Sequence, residues 1–228
     1  MYFETHAHYD DKKFDEDRNE ILNSLKENNI KYVVNVGADM KSSYDSIKLS
    51  QEYDFIYASV GVHPHEARNM KEEDYKILEQ WLQYDKVVAL GEIGLDYYYD
   101  FSPREVQREV FKKQLKICEN ITKPVIIHSR DANQEVFDMI KESKVRKGVI
   151  HAFSGSLEMA LEYIKLGFFI GVGGVLTFKN ANKLVNVVEN IPLEYILIET
   201  DSPYLSPVPV RGTRNNSQNL KYIVEKIS

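Results

Sequence analysis

Apolar runs of strand length alternate with segments of helical period along the whole chain. The strand-like runs fall at 1–5, 32–36, 55–62, 87–90, 124–127, 148–150, 168–172 and 195–198. Several are apolar without a break, as in Val87-Val88-Ala89-Leu90, Val125-Ile126-Ile127 and Ile196-Leu197-Ile198. Unbroken apolar strands mark a parallel sheet buried on both faces. Between them, Ile21, Leu22 and Leu25 share one face of a charged helical stretch, and helices are predicted at 42–53 and at 74–84, with Trp81 on its apolar side. The clearest helix start is Ser102-Pro103-Arg104-Glu105. Ser102 is read as the cap, Pro103 as the first helical residue and Glu105 as the partner in a capping box. Val106, Val110, Phe111, Leu115 and Cys118 then form its buried face. Further helices are predicted at 135–143, at 156–166 with Ser156 as cap, at 182–190, and from about 219 onward.

Eight strand–helix units predict an α/β fold, a closed (β/α)8 TIM barrel. The alternative is an open doubly wound sheet. No Gly-x-Gly-x-x-Gly follows an early strand, and polar residues end many strands instead of gathering at one switch point. No low-complexity linker divides the chain, so one domain is expected over 1–228. Barrels of this kind run to about 250 residues, and the final helix is expected to be incomplete.

Composition narrows the function. Hydrophobic residues make up 43% of the chain and charged residues 28%, as in a soluble globular protein with a sizeable core. There is no apolar run of membrane-spanning length and no signal-peptide pattern, so neither a membrane nor an obligate protein partner is expected. A single cysteine, Cys118, rules out an intrachain disulfide and fits a reducing, cytoplasmic setting. It is read as a small core residue. The net charge of −6 gives no global basic footprint for duplex DNA. Any nucleic-acid substrate would have to be held by bound metal and a few arginines.

The candidate chemistry sits where the strands end. All six histidines do so: His6 and His8 after the first strand, His63 and His65 after the third, His128 after the fifth and His151 after the sixth. Glu92 and Asp201 follow the fourth and eighth. In a barrel these ends converge on one rim, where active sites form. Histidine with carboxylate suits Zn²⁺, Mn²⁺ or Mg²⁺, and no thiolate takes part. Two ions about 3.5–4 Å apart need a bridging group, and Glu92 has two oxygens to offer. His63 and His65 are candidate donors to a substrate phosphate, with a purely structural Gly-Val-His-Pro-His turn as the competing reading. Arg130 and Arg211 are candidate phosphate ligands, with ordinary salt bridges as the alternative. Tyr97, Tyr98, Tyr99 and Phe101 could stack bases but are expected mostly to pack. Gly171, Gly173 and Gly174 permit close backbone approach at the rim.

Together these stretches resemble a known family. Thr5-His6-Ala7-His8, Gly61-Val62-His63-Pro64-His65, Gly91-Glu92-Ile93-Gly94-Leu95-Asp96-Tyr97, the run 124–130, His151-Ala152-Phe153-Ser154-Gly155, and the run 199–205 with 207–212 occur in the order seen in TatD-type metal-dependent deoxyribonucleases, within the amidohydrolase-like barrel superfamily. The resemblance implies metal ligation by His6, His8, Glu92, His128, His151 and Asp201, with Glu92 shared between two ions. It places His6 and His8 with Asp201 on one ion, and His128 and His151 on the other. Ala7 and Ala152 stand where many members have cysteine.

The expected function is hydrolysis of phosphodiester bonds, as a 3′–5′ exonuclease on single-stranded DNA ends. Asp201 would hold a water and accept its proton. One alternative is an amidohydrolase acting on amides, cyclic amides or aminoacyl esters. Many such barrels bridge their metals with a modified lysine where this chain has Glu92, which favours the nuclease. A second alternative is a metal-binding scaffold without turnover.

Overall fold

The computed structural model describes residues 1–228. Eight strands form one parallel sheet in sequence order: β1 (Tyr2–Ala7), β2 (Ile30–Val36), β3 (Ile56–Val60), β4 (Val87–Asp96), β5 (Val125–Arg130), β6 (Gly148–Ile150), β7 (Phe168–Val172) and β8 (Ile196–Ile198). Eight helices follow them in turn: α1 (Arg18–Leu25), α2 (Met40–Glu52), α3 (Glu72–Trp81), α4 (Arg104–Asn120), α5 (Asn133–Glu142), α6 (Leu157–Lys165), α7 (Asn182–Asn190) and α8 (Leu220–Ile227). This is the expected (β/α)8 barrel. No helix is long and apolar enough to cross a membrane.

Strand alternation sorts the side chains into two sets. Val33, Ile56, Ile127, Ile150, Ile170 and their neighbours face the helices and belong to one large core. Val34, Val36, Ala89, Ile126 and Val149, with Phe169 and Leu197 against them, form a separate small cluster from the alternate positions. That cluster fills the barrel interior, as a barrel of eight strands requires.

Two expectations are corrected. The fourth strand does not stop at Leu90. It runs on to Asp96, pairing Gly94 with His128 and Asp96 with Arg130, with a register shift between Leu90 and Ile93. Glycine usually weakens a strand, but here it allows close backbone approach. A Cβ on Gly91 would lie 2.5 Å from the Cβ of Ile126, and one on Gly94 (φ +149°) would lie 1.9 Å from the carbonyl oxygen of His128. The second correction concerns α4. Pro103 takes the cap position and no side chain caps the helix. The Ser102 hydroxyl instead donates to the His65 carbonyl and accepts the Arg68 amide, fastening the 3₁₀ turn Pro64–Asn69 to the start of α4. Ser156 does cap α6, accepting the Met159 amide. Val110, Phe111, Leu115 and Cys118 are buried as expected, and burial pushes the Cys118 thiol up to about 12.

The seam between β1 and β8 closes without a regular ladder. Ala7 and Ser202 form an isolated parallel bridge. The Asp201 amide donates to the His6 carbonyl at 2.9 Å and the His8 amide to the Ser202 carbonyl at 2.7 Å. Below them, the fully buried Glu4 carboxyl accepts the amides of His6 and Thr200 and the Thr200 hydroxyl. Burial raises this carboxyl from 4.5 to about 7, with the Thr200 and His6 hydrogen bonds opposing.

Between those two pH values the native protein holds a proton that the unfolded chain has lost. Its stability should therefore fall as pH rises through that interval, by on the order of a few kcal/mol. Glu4→Gln, neutral at every pH, should lack this slope. Urea midpoints of chelator-treated protein should show the variant gaining on the wild type between pH 5 and pH 8. A constant difference would mean that Glu4 is ionised throughout.

Candidate metal centre

The apolar interior layer forms the floor of the site. Two residues beyond Ile126, Val149 and Leu197, on the same inward face, stand His128, His151 and Glu199. On β1 the same alternation stacks Glu4, His6 and His8. Glu92 enters from the irregular stretch of β4, and Asp201 from the turn after β8, in the left-handed region at φ +58° that Asp tolerates.

Glu92 lies at the centre, and its two oxygens face different partners. Oε2 is 3.3 Å from His6 Nε2 and 4.0 Å from His8 Nε2. These two nitrogens are themselves 3.2 Å apart. Asp201 Oδ1 lies 3.4 Å from His8 Nε2 and 3.8 Å from His6 Nε2. Ligands held about 2.0 Å from a tetrahedral ion stand about 3.3 Å from one another, so the spacing of this group suits a small divalent cation. His8 Nδ1 donates to the Val36 carbonyl at 2.7 Å, which leaves its Nε2 lone pair facing the group.

Oε1 of Glu92 faces the rest. It is 2.8 Å from His128 Nδ1, 3.7 Å from His63 Nε2 and 3.9 Å from His151 Nε2. His151 stacks on His6, with ring centres 3.5 Å apart, and its Nε2 is also 3.8 Å from Asp201 Oδ1. His151 therefore stands between the two groups. Its Nδ1 lies 3.0 Å from Glu199 Oε1, off the line of a good hydrogen bond. The other Glu199 oxygen and His6 Nδ1 are buried without partners.

His63 is distinguished by its tautomer. Its Nδ1 accepts the His65 amide, so the proton is on Nε2, which points toward Glu92. Burial, helped by the neighbouring His128, holds this ring well below its ordinary value and keeps it neutral. His63 thus offers an N–H donor, where His8 offers a lone pair. His65 Nε2 and His128 Nε2 both contact Asp96 Oδ2, at 2.9 and 3.1 Å. Asp96 Oδ1 accepts the amides of Tyr98 and Tyr99. Burial raises the Asp96 carboxyl, but the hydrogen bonds of His128 and His65 outweigh this and hold it far below the usual range.

The charge balance is unusual. Glu92, Asp96, Glu199 and Asp201 are withdrawn from solvent, yet no lysine or arginine lies within ion-pair distance of any of them; their ion-pair partners are all histidines. Burial alone would raise Glu92, but His63, His151 and His6, with the hydrogen bond from His128, hold it well below the carboxylate range. Burial would likewise depress His8 and His151. Asp201 pushes His8 up to about 9, and Glu199 with Glu92 pushes His151 up to about 10. Such a cavity attracts positive charge, and a divalent cation would supply it.

The six histidines, Glu92 and Asp201 are thus brought together. Arg130 and Arg211 are not part of the cluster, and neither forms an ion pair. The Arg130 guanidinium lies over the rings of Tyr98 and Tyr99, at 4.1 and 4.8 Å. Arg211 lies over Phe178 at 3.9 Å and donates to the Ser206 carbonyl. Tyr97 packs against the core, whereas Tyr98, Tyr99 and Phe101 are exposed, against the expectation that most of this cluster packs. At Gly171 the close approach is made by Glu199, whose Oε2 would lie 2.7 Å from an added Cβ. Sequence reasoning gave no role to Glu4, Asp96 or Glu199. The one available signal was alternation, since Glu199 is two residues beyond Leu197 and two before Asp201.

A sequence model of the family TatD related DNase matches residues 3–228. The chain belongs to the TatD family. YabD of Bacillus subtilis, described as an uncharacterized metal-dependent hydrolase, is 42% identical over 230 residues, covering 100% of this chain and 90% of the relative. MJ1582 of Methanocaldococcus jannaschii, described in the same words, is 34% identical, covering 100% and 88%. The crystal structure of YjjV, a TatD homologue from Escherichia coli, superposes with a TM-score of 0.94 at 30% identity, covering 99% of this chain and 88% of that one. This TatD-family chain is accordingly a metal-dependent hydrolase with a candidate histidine–glutamate metal site.

Glu199→Gln removes the charge beside His151 Nδ1 and should lower divalent-metal affinity about 10–100-fold, the usual cost of losing a group that orients a ligand. Arg211→Ala, outside the cluster, should leave affinity unchanged. Calorimetric titration with Mn²⁺ or Zn²⁺ reads both. An unaffected Glu199→Gln protein would show that His151 is placed without the carboxylate.

Proposed function

We propose that the chain hydrolyses phosphodiester bonds at a dinuclear divalent-metal site, as a deoxyribonuclease acting on single-stranded ends in the 3′ to 5′ direction. The observation that carries this reading is the position of Glu92. Its Oε2 faces the His6–His8–Asp201 group and its Oε1 faces His128, His63 and His151. A bridging carboxylate needs both faces occupied in this way.

His6, His8 and Asp201 would hold one ion, His128 and His151 the other, and Glu92 both. The chemistry of these ligands suits Mg²⁺, Mn²⁺ and Zn²⁺. When bound, such ions polarise a phosphoryl oxygen and bring a water toward ionisation at neutral pH. The remaining work falls to the chain. Asp201 holds the attacking water and takes its proton; its carboxylate is kept ionised by His8, His151 and His6 against the effect of burial. His63, neutral with its proton on Nε2, donates to a phosphate oxygen at the centre's mouth. His65, whose Nε2 donates to Asp96, stands beside it and helps fix that side of the mouth. A strand end is favoured over an intact duplex because the net charge of −6 gives no broad basic surface for a duplex. The family description, TatD related DNase, supports the same substrate class.

A 3′-labelled single-stranded oligonucleotide should be shortened from its labelled end with Mg²⁺ or Mn²⁺ and left intact with chelator. Glu92→Ala should lose all detectable activity. His6→Ala should bind one equivalent of metal tightly where the wild type binds two, as read by elemental analysis after dialysis. Chelator-insensitive release, or full activity in Glu92→Ala, would refute the mechanism.

A further inference from the structure

The exposed aromatic turn after β4 lies outside the metal cluster, and the proposed chemistry makes no use of it. Tyr98, Tyr99 and Phe101 are 58%, 46% and 51% exposed. Three large aromatic side chains within four residues of one turn, all open to solvent, form a concentration that packing does not explain. Tyr97 shows what packing looks like here. It lies against the core and its hydroxyl donates to Glu135.

The turn is built, not loose. Asp96 accepts the amides of both Tyr98 and Tyr99. Arg104 pairs with Asp100 and donates to the Tyr97 carbonyl. Tyr99 and Phe101 are stacked with ring centres 5.2 Å apart and planes at 22°, and Tyr98 meets Tyr99 edge-on at 4.8 Å. A platform already ordered spends little entropy on receiving a flat ligand. It also joins the metal centre directly. The His65 ring touches Phe101 and Tyr99, at 4.8 and 5.3 Å, and His65 and His128 share Asp96. Arg130, two residues beyond His128, lies over the rings and has no acidic partner, so its donors remain free for an anion.

We propose that Tyr98, Tyr99 and Phe101, backed by Arg130, form a stacking platform for a nucleobase next to the phosphodiester that is cut. Tyr98 and Phe101 keep the most exposed surface of the three, although Arg130 lies over Tyr98 and Tyr99 stacks on Phe101. The occupant needs a flat π-face and a phosphate within reach of both a guanidinium and the metal centre. A nucleotide of a single strand has both. The stacking would be tolerant of base identity, because every base has a π-face. The assignment rests on the phosphodiester reading of the metal centre.

The test uses metal-loaded enzyme and single-stranded oligonucleotides carrying 2-aminopurine, or an abasic residue, at the last or the penultimate 3′ position. Stacking should quench 2-aminopurine emission on binding. The wild type should prefer the base-bearing strand to the abasic one about tenfold in kcat/KM, mostly through KM. In Tyr98→Ala/Phe101→Ala that ratio should collapse toward one, and Phe101→Trp should retain it. Equal cleavage of base-bearing and abasic strands by the wild type would overturn the platform and leave the nuclease reading standing, as would a variant penalty of the same size on both strands. Quenching without cleavage would overturn the nuclease reading, and with it the placement of the stacked base beside a cut phosphodiester. Neither quenching nor cleavage would overturn both.

Discussion

Four carboxylates in the mouth of this barrel have no lysine or arginine to pair with, and most of the local architecture answers that constraint. Uncompensated buried charge costs several kcal/mol per group. Here imidazoles are the only ion-pair partners of Glu92, Asp96, Glu199 and Asp201, with backbone amides adding hydrogen bonds to Asp96 and Glu199. Imidazole is a conditional partner. It carries charge only while protonated, and the same nitrogen can give up its proton and become a ligand. The raised positions of His8 and His151 show the demand for positive charge in the metal-free site. A cation entering among these nitrogens displaces protons and supplies that charge. The site is therefore organised to exchange one kind of positive charge for another, which a salt-bridged cluster could not do.

The backbone meets this constraint through glycine and irregular pairing. Glu92 reaches the centre because β4 shifts register after Leu90, and Gly91 and Gly94 let that strand press against β5. Gly171 leaves room for Glu199 beneath His151. The seam between β1 and β8 is short of ladder hydrogen bonds, and Glu4 fills the shortage by gathering the amides of His6 and Thr200. That places the first residue of the His6–His8 pair and the approach to Asp201 on one buried carboxyl. Ligand geometry and barrel closure are consequently the same structural problem at this point.

This division also explains what was readable from the sequence. The eight strands and their order were legible because unbroken apolar runs are hard to place anywhere but in a doubly covered parallel sheet, and β6, β7 and α7 match residue for residue. The convergence of histidines was legible because each lies at a strand end. The extension of β4 was not, because glycine reads as a strand breaker until the neighbouring Ile126 and His128 backbone are seen against it. Ser102 was misread because its sequence suits a helix cap, while its hydroxyl is claimed by the His65 carbonyl and the Arg68 amide, a contact across the rim. Asp96 and Glu199 went unassigned for a similar reason. An acid that orients a histidine is known only by which nitrogen it faces. The resemblance to TatD-type enzymes could supply ligands by position, but it could not show that His63 carries its proton on Nε2.

The tautomers separate residues that the sequence makes look alike. His6-Ala7-His8 and His63-Pro64-His65 have the same spacing, and composition cannot tell them apart. In the first pair, the Val36 carbonyl fixes the His8 proton on Nδ1 and turns a lone pair inward. In the second, the His65 amide occupies His63 Nδ1 and turns a proton inward. One backbone acceptor and one backbone donor thus give opposite polarity to two otherwise equivalent motifs. A lone pair suits a cation and an N–H suits an anion. The rim is consequently polarised from the β1 side toward the β3 side, and an anionic oxygen drawn to the metal centre would meet donors on the side where the aromatic turn and Arg130 also stand.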